Sequence, residues 1–199
     1  MFDDIFYAVL QVLLFSLIPL IVWAITARNK ENFFSWIGLR KIQTKDPFKF
    51  ALLFIVLFGG VCLISLWVVP LIIGGEETAA SGFAGGGVSV IPGILIHSVI
   101  QTGLSEEILF RGFFGKRFVA RLGFAAGNLI QAGLFGIMHG ALFFMMIGWE
   151  RAAGLTLLTG GIGWIQGYLN EKKAGGSILP SWIFHALTNM IAGLGEAFL

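Results

Sequence analysis

Glu106 and Glu107 stand side by side with Arg111 four residues on, all inside a long apolar tract. An ionised side chain at bilayer depth costs at least ~2.5–3.5 kcal/mol on insertion scales, so such a group is rarely present without a job or a partner. His139 and His185 sit in two further apolar runs, and Asn189 follows His185 by one helical turn. A glutamate can take a proton from water, a histidine can hold that water, and a neutral His with an Asn amide can donate to a developing oxyanion. Together these types imply hydrolysis of an amide.

Glu107 and Arg111 share a helical face, with Glu N-terminal to Arg, the favourable order for a pair. Glu106 is turned about 100° away. One carboxylate is therefore neutralised by Arg111 and the other faces a polar cavity. Spacing alone does not fix which is which; Glu106 is taken as the working base and Glu107 as the partner of Arg111. The plainer alternative is an ion pair that only pins this helix to its neighbours, but it leaves the second glutamate without a role. A single histidine in an apolar run is more often packed than catalytic; two at matching depth beside an unpaired Glu are a stronger signal. Phe135, one turn before His139, reads as packing or as a pocket wall, and His97 as packing or a supporting partner. Ser98 and Ser105 have no His at helical spacing and Cys62 is remote, so a Ser or Cys nucleophile is poorly supported. Glu106, His139 and His185 are legitimate zinc ligands, which leaves a metal open. The HExxH pattern is absent, since Gly140 follows His139.

The elements that must position these groups are membrane helices. Of the 199 residues 57% are hydrophobic and 12% charged, against roughly 25% charged in soluble domains, and the mean hydropathy is +0.88. The expected fold is all-α: one integral membrane domain over 1–199, a polytopic transmembrane helix bundle with six main spans. Continuous apolar runs exclude a β-barrel, which alternates polarity along segments of ~10 residues. A net charge of +2 gives no basis for nucleic-acid binding, and the one cysteine permits neither a disulfide framework nor a thiolate metal site. Met1-Phe2-Asp3-Asp4 has no basic n-region, so the first span is expected to be retained.

The spans are read at 5–27, 50–73, 91–117, 129–147, 152–169 and 178–199, with 1–90 as the N-terminal portion and 91–199 as the core that carries the chemistry. Segment 120–128 reads as interfacial, 149–151 and 170–176 as turns, and 74–92 as a Gly-rich connector. Short or re-entrant helices fit near Phe33 and Ala84, the first lying along the interface with Trp36 as anchor. Gly136-x-x-x-Gly140 and Gly163-x-x-x-Gly167 permit close helix approach. Loops one, three and five hold eleven of the 13 Lys and Arg, so the positive-inside rule makes them cytoplasmic. Counted from that side at about 1.5 Å per residue, Glu106, His139 and His185 all lie roughly 12–17 Å deep.

Glu106-Glu107-x-x-x-Arg111, Phe135-x-x-x-His139 and His185-x-x-x-Asn189, in that order over about 92–199, resemble the three-motif pattern of the CAAX-protease and bacteriocin-processing (CPBP, or Abi) intramembrane proteases. That family includes the endopeptidase that trims prenylated CAAX proteins. The resemblance implies an intramembrane endopeptidase with a site opening toward the cytoplasm. It implies that Glu106 and His139 activate water, His185 and Asn189 hold the oxyanion, and Glu107 and Arg111 support them. Members have been described as glutamate-based and as metalloproteases. No cofactor is required by this chemistry, while a divalent zinc on Glu106, His139 and His185 stays open. The implied partners are the lipid bilayer and a peptide or membrane-protein substrate, prenylated or a leader peptide, in a bacterial or archaeal cell membrane. The rival reading is a non-catalytic scaffold or immunity protein of the same fold that binds a peptide; a proton-relay transporter ranks lower, since no internal repeat is evident.

Overall fold

A computed structural model describes residues 2–199, and every regular element among them is helical. Helix α1 is Phe2–Thr26, α2 is Phe33–Trp36 and α3 is Pro47–Ile73. α3 starts where the Asp46 side chain accepts the Lys49 N–H at 3.1 Å and Pro47 takes the first helical position, where its missing N–H costs nothing. It stops at Gly74, whose φ of 68° is the left-handed cap that glycine adopts most readily. Most large apolar side chains of α1 and α3 face outward, as helices against lipid require.

Three helical stretches are long and apolar enough to cross a membrane: Phe2–Thr26, Pro47–Ile73 and the run Gly87–Lys173. Helix α6, Leu179–Phe198, is long enough but too polar to join them. The third stretch has 87 residues, which as a straight rod would reach ~130 Å at 1.5 Å per residue. It folds back instead. It comprises a 3₁₀ turn (Gly87–Val90), α4 (Ile91–Leu95), two π-helical segments (Ile96–Leu104 and Glu107–Gly115), α5 (Lys116–Tyr168) and a third π-helical segment (Leu169–Lys173). Gly123 (φ 77°, ψ 170°) and Gly148 (φ 76°, ψ 171°) divide α5 into limbs 116–122, 124–147 and 149–168. An L-residue pays a steric cost at such φ values and glycine does not. The expected interfacial stretch over 120–128 and turn over 149–151 are therefore each reduced to one glycine, with helix on both sides. The expected turn over 170–176 also begins later, because a π-helical segment carries the chain through Leu169–Lys173.

The second and third limbs of α5 meet at backbone contact. A Cβ on Gly136 would lie 2.3 Å from the Thr156 carbonyl oxygen, and one on Gly163 would lie 3.4 Å from Ala132 Cα. The two GxxxG pairs thus serve one interface from opposite sides.

The largest departure from the sequence reading is the helix of Glu106 and Glu107. It was expected to be α-helical and is mostly π-helical. A π turn bonds five residues back, and such turns occur frequently at functional sites. Gly103 fits this register: a Cβ there would lie 2.3 Å from the Ser98 carbonyl oxygen. α1 braces the same helix through Gln11, whose Nε2 donates to Ser105 Oγ at 3.2 Å and whose Oε1 accepts from Gln101 Nε2 at 3.4 Å. Trp182 Nε1 donates to the Val99 carbonyl at 2.7 Å.

The α2 segment forms, but Trp36 is not an interfacial anchor. It is 7% exposed and packs with Ile37, Ile108 and Phe113, and the Arg117 guanidinium carbon lies 3.8 Å from its ring centroid. The fold draws it inward by tying its loop to the start of α6: Ile178 N donates to Gly38 O at 2.9 Å and Ser177 Oγ to Arg40 O at 2.5 Å. The second expected short helix is a 3₁₀ turn at Ser81–Phe83. One end of the bundle thus collects Arg40, Lys116, Arg117 and Glu171, with Lys116 Nζ 2.6 Å from Glu171 Oε1. The opposite end brings Gly74 beside Arg151 and Gly85 N to the Glu196 carbonyl at 3.1 Å.

The limb interface gives a matched pair of substitutions. Gly136→Ala should lower stability by about 1–3 kcal/mol through overpacking against Thr156. At Gly133 a Cβ meets nothing within 4 Å, so Gly133→Ala should stay within about 0.5 kcal/mol of the parent. Denaturant unfolding in detergent micelles reads both.

Candidate active site

The π-helical segments, the second limb of α5, its third limb and α6 converge on Glu107, whose exposure is 0%. Its Oε1 lies 3.2 Å from Arg111 Nη1 and 3.2 Å from His185 Nδ1, and its Oε2 accepts the Ser181 hydroxyl. Arg111, equally buried, donates from Nη2 to Gln166 Oε1. Its guanidinium carbon lies 3.9 Å from the Phe135 ring centroid. Ser181 is held in turn by Asn170, whose Nδ2 donates to Ser181 Oγ at 2.7 Å and whose Oδ1 accepts the Ser181 N–H at 3.2 Å. A buried carboxylate is tolerated only when paired and hydrogen-bonded, and these contacts supply both.

Glu106 points to the other side. Its Oε2 is buried, lies 3.7 Å from His185 Nε2 and has no hydrogen-bond partner in the chain. His185 is therefore spanned by the two glutamates, Glu107 at Nδ1 and Glu106 facing Nε2. His139 comes from the second limb of α5, with Nδ1 2.9 Å from the Phe135 carbonyl oxygen of its own helix. A carbonyl only accepts, so Nδ1 carries the proton and the neutral ring offers Nε2 as an acceptor. The Phe135 ring contacts both imidazoles, its centroid 4.4 Å from that of His139 and 5.9 Å from that of His185. Asn189, one turn beyond His185 on α6, donates from Nδ2 to Thr102 Oγ1 at 2.8 Å. His97 packs edge-on against Phe83, centroids 5.8 Å apart.

The fold thus brings Glu106, Glu107, Arg111, His139, His185 and Asn189 into one neighbourhood. Among the described residues no group of three or more His, Cys, Asp or Glu has the spacing to hold a metal ion.

Sequence reasoning passed over Gln166, Asn170, Ser181 and Thr102. A signal for three of them is present: Gln166-x-x-x-Asn170 and Ser181-x-x-x-His185-x-x-x-Asn189 repeat polar residues one helical turn apart in apolar surroundings. Chemically, the cluster offers one neutralised carboxylate that orients a histidine, and one unpaired carboxylate beside two imidazoles.

Removing one partner of a buried pair leaves the other charge uncompensated. Arg111→Met should therefore destabilise the protein by about 3–5 kcal/mol, and the double variant Arg111→Met with Glu107→Gln should lose less than the sum of the two singles. Denaturant midpoints of the four proteins in detergent check the cycle.

No curated protein and no solved structure matches the chain. A family model does: the one described as type II CAAX prenyl endopeptidase Rce1-like matches residues 87–191, more than half of the sequence. That stretch holds all three motifs, from Glu106 to Asn189, and the chain belongs to this CAAX-protease (CPBP) family.

Proposed function

We propose that this protein is an intramembrane endopeptidase in which Glu106 and His139 activate water against a peptide bond. The observation that carries this reading is the buried, unpartnered Glu106 Oε2 beside a glutamate that is already neutralised. Buried polar atoms without partners are few in folded proteins, and catalysis is one of the reasons for them.

Glu106 Oε2 and His139 Nε2 are both acceptors, so a water between them donates both hydrogens and turns a lone pair toward the substrate carbonyl. Attack forms the C–O bond and transfers a proton to Glu106. The oxyanion that results accepts from Asn189 Nδ2 and from His185. With Nδ1 facing Glu107, the His185 nitrogen turned toward the oxyanion is Nε2. Collapse breaks the C–N bond and Glu106 returns the proton to the leaving amine. Glu107 and Arg111 orient and neutralise without touching the substrate.

The family supports a peptide substrate in a membrane, and its description points to a prenylated CAAX peptide as the first to test. Six passes fit the chain, over 2–26, 47–73, 91–122, 124–147, 149–173 and 179–198. The basic loops, gathered at one end through Arg40, Lys116 and Arg117, lie on the cytoplasmic side by the positive-inside rule.

Glu106→Gln keeps the shape and removes the base. Cleavage of a prenylated CAAX peptide by purified protein should fall by about 10²–10⁴-fold, the usual worth of general base catalysis, with peptide binding retained. Unchanged cleavage would take Glu106 out of the mechanism. Metal-stripped enzyme should keep its rate; a loss that zinc alone restores would move the chemistry onto a metal.

A further inference from the structure

We infer that Thr102 is a positioning residue that fixes the amide of Asn189 for catalysis. The inference rests on the peptidase reading for its consequence, and on geometry alone for the placement.

In an α-helix a threonine hydroxyl bonds back to the carbonyl four residues earlier. Thr102 lies in the first π-helical segment, and its Oγ1 donates to the carbonyl of His97, five residues earlier, at 3.0 Å. A hydroxyl has one hydrogen. With that hydrogen committed, Oγ1 can only accept, and the Asn189 amide must present its NH₂ rather than its oxygen. The contact observed is Nδ2 to Oγ1 at 2.8 Å. It is the one hydrogen bond of the Asn189 side chain among the described residues, so the second N–H on Nδ2 remains for a ligand.

The π register is what makes this work. Thr102 precedes Glu106 by four residues on the same helix, while Asn189 comes from α6. The hydroxyl ties the proposed oxyanion donor to the helix that carries the proposed base. Without it the amide can turn over and offer its oxygen to the oxyanion, which is repulsive. Gln11 bonds to Ser105 and Gln101 and so braces the adjoining face of this helix from α1.

The test uses the full chain in detergent and three substitutions. Thr102→Val is isosteric and removes the hydroxyl; Thr102→Ser keeps it. Thr188→Val makes the same chemical change beside Asn189, where the hydroxyl bonds only to its own helix, to His185 O at 2.8 Å and Phe184 O at 3.2 Å. Thr102→Val should lower kcat on a prenylated peptide by about tenfold with KM unchanged, the scale of one hydrogen bond. Thr102→Ser should keep kcat within about twofold of the parent, and Thr188→Val should leave it unmoved. A Thr102→Val enzyme with parental kcat, or a Thr102→Ser enzyme as slow as Thr102→Val, overturns the inference. The side-chain amide resonances of ¹⁵N-labelled asparagine supply the readout that does not need turnover. Thr102→Val should shift the Asn189 pair and Thr188→Val should not. If the shift occurs in a protein whose parent cleaves nothing, the placement stands and the peptidase reading is what fails; if no shift occurs, the placement itself is wrong.

Discussion

Glu107 and Arg111 are two full charges withdrawn from water inside a bundle whose outer surface is hydrocarbon. Taking such ions out of water costs several kcal/mol each even after relaxation, and their mutual attraction offsets this only with good geometry and added hydrogen bonds, which here reach both Glu107 oxygens and Arg111 Nη2 but not Arg111 Nε or Nη1. That constraint explains the polar residues that otherwise look out of place in apolar helices. Gln166 reaches Arg111 from the third limb of α5, Ser181 reaches Glu107 from α6, and Asn170 holds Ser181. Phe135 closes the remaining face of the guanidinium. Four segments of chain are thereby fixed at one point by the need to keep one ion pair.

The same pair divides the labour between two adjacent glutamates. Neighbours in sequence face different directions on a helix, so one carboxylate can be spent on structure while the other stays unpaired. Glu107 neutralises Arg111 and orients His185 through Nδ1; Glu106 faces Nε2 of the same ring. A histidine whose two nitrogens meet two carboxylates is held in orientation without any further partner. His139 achieves its orientation differently, through the carbonyl of Phe135 one turn earlier. Both imidazoles are thus fixed at Nδ1 and present Nε2.

Access of α6 and the limbs of α5 to this point depends on small residues. Gly136 and Gly163 let the second and third limbs touch along their backbones, which brings Gln166 within reach of Arg111. Gly123 and Gly148 reverse the chain without any loop, so the limbs stay in register with each other. In a bundle with no hydrophobic drive between helices, this close packing and the polar network supply the specificity of association.

The sequence by itself determined the class, because a chain with so few charges and such long apolar runs has no soluble solution. It also determined the Glu107–Arg111 partnership, since a four-residue spacing keeps two side chains adjacent whether the helix is α or π, and it put Glu106 and two histidines at a common depth. Tertiary structure decided the rest. The π register is set by contacts from α1 and α6 and by the fit of Gly103 on Ser98, none of which leaves a periodic trace. Trp36 has the composition of an interfacial anchor, and only the tie between its loop and the start of α6 draws it into the core. Gln166, Ser181 and Thr102 are ordinary polar residues until the fold sets them against Arg111, Glu107 and Asn189, because partners 55, 74 and 87 residues apart are chosen by packing and not by spacing along one helix.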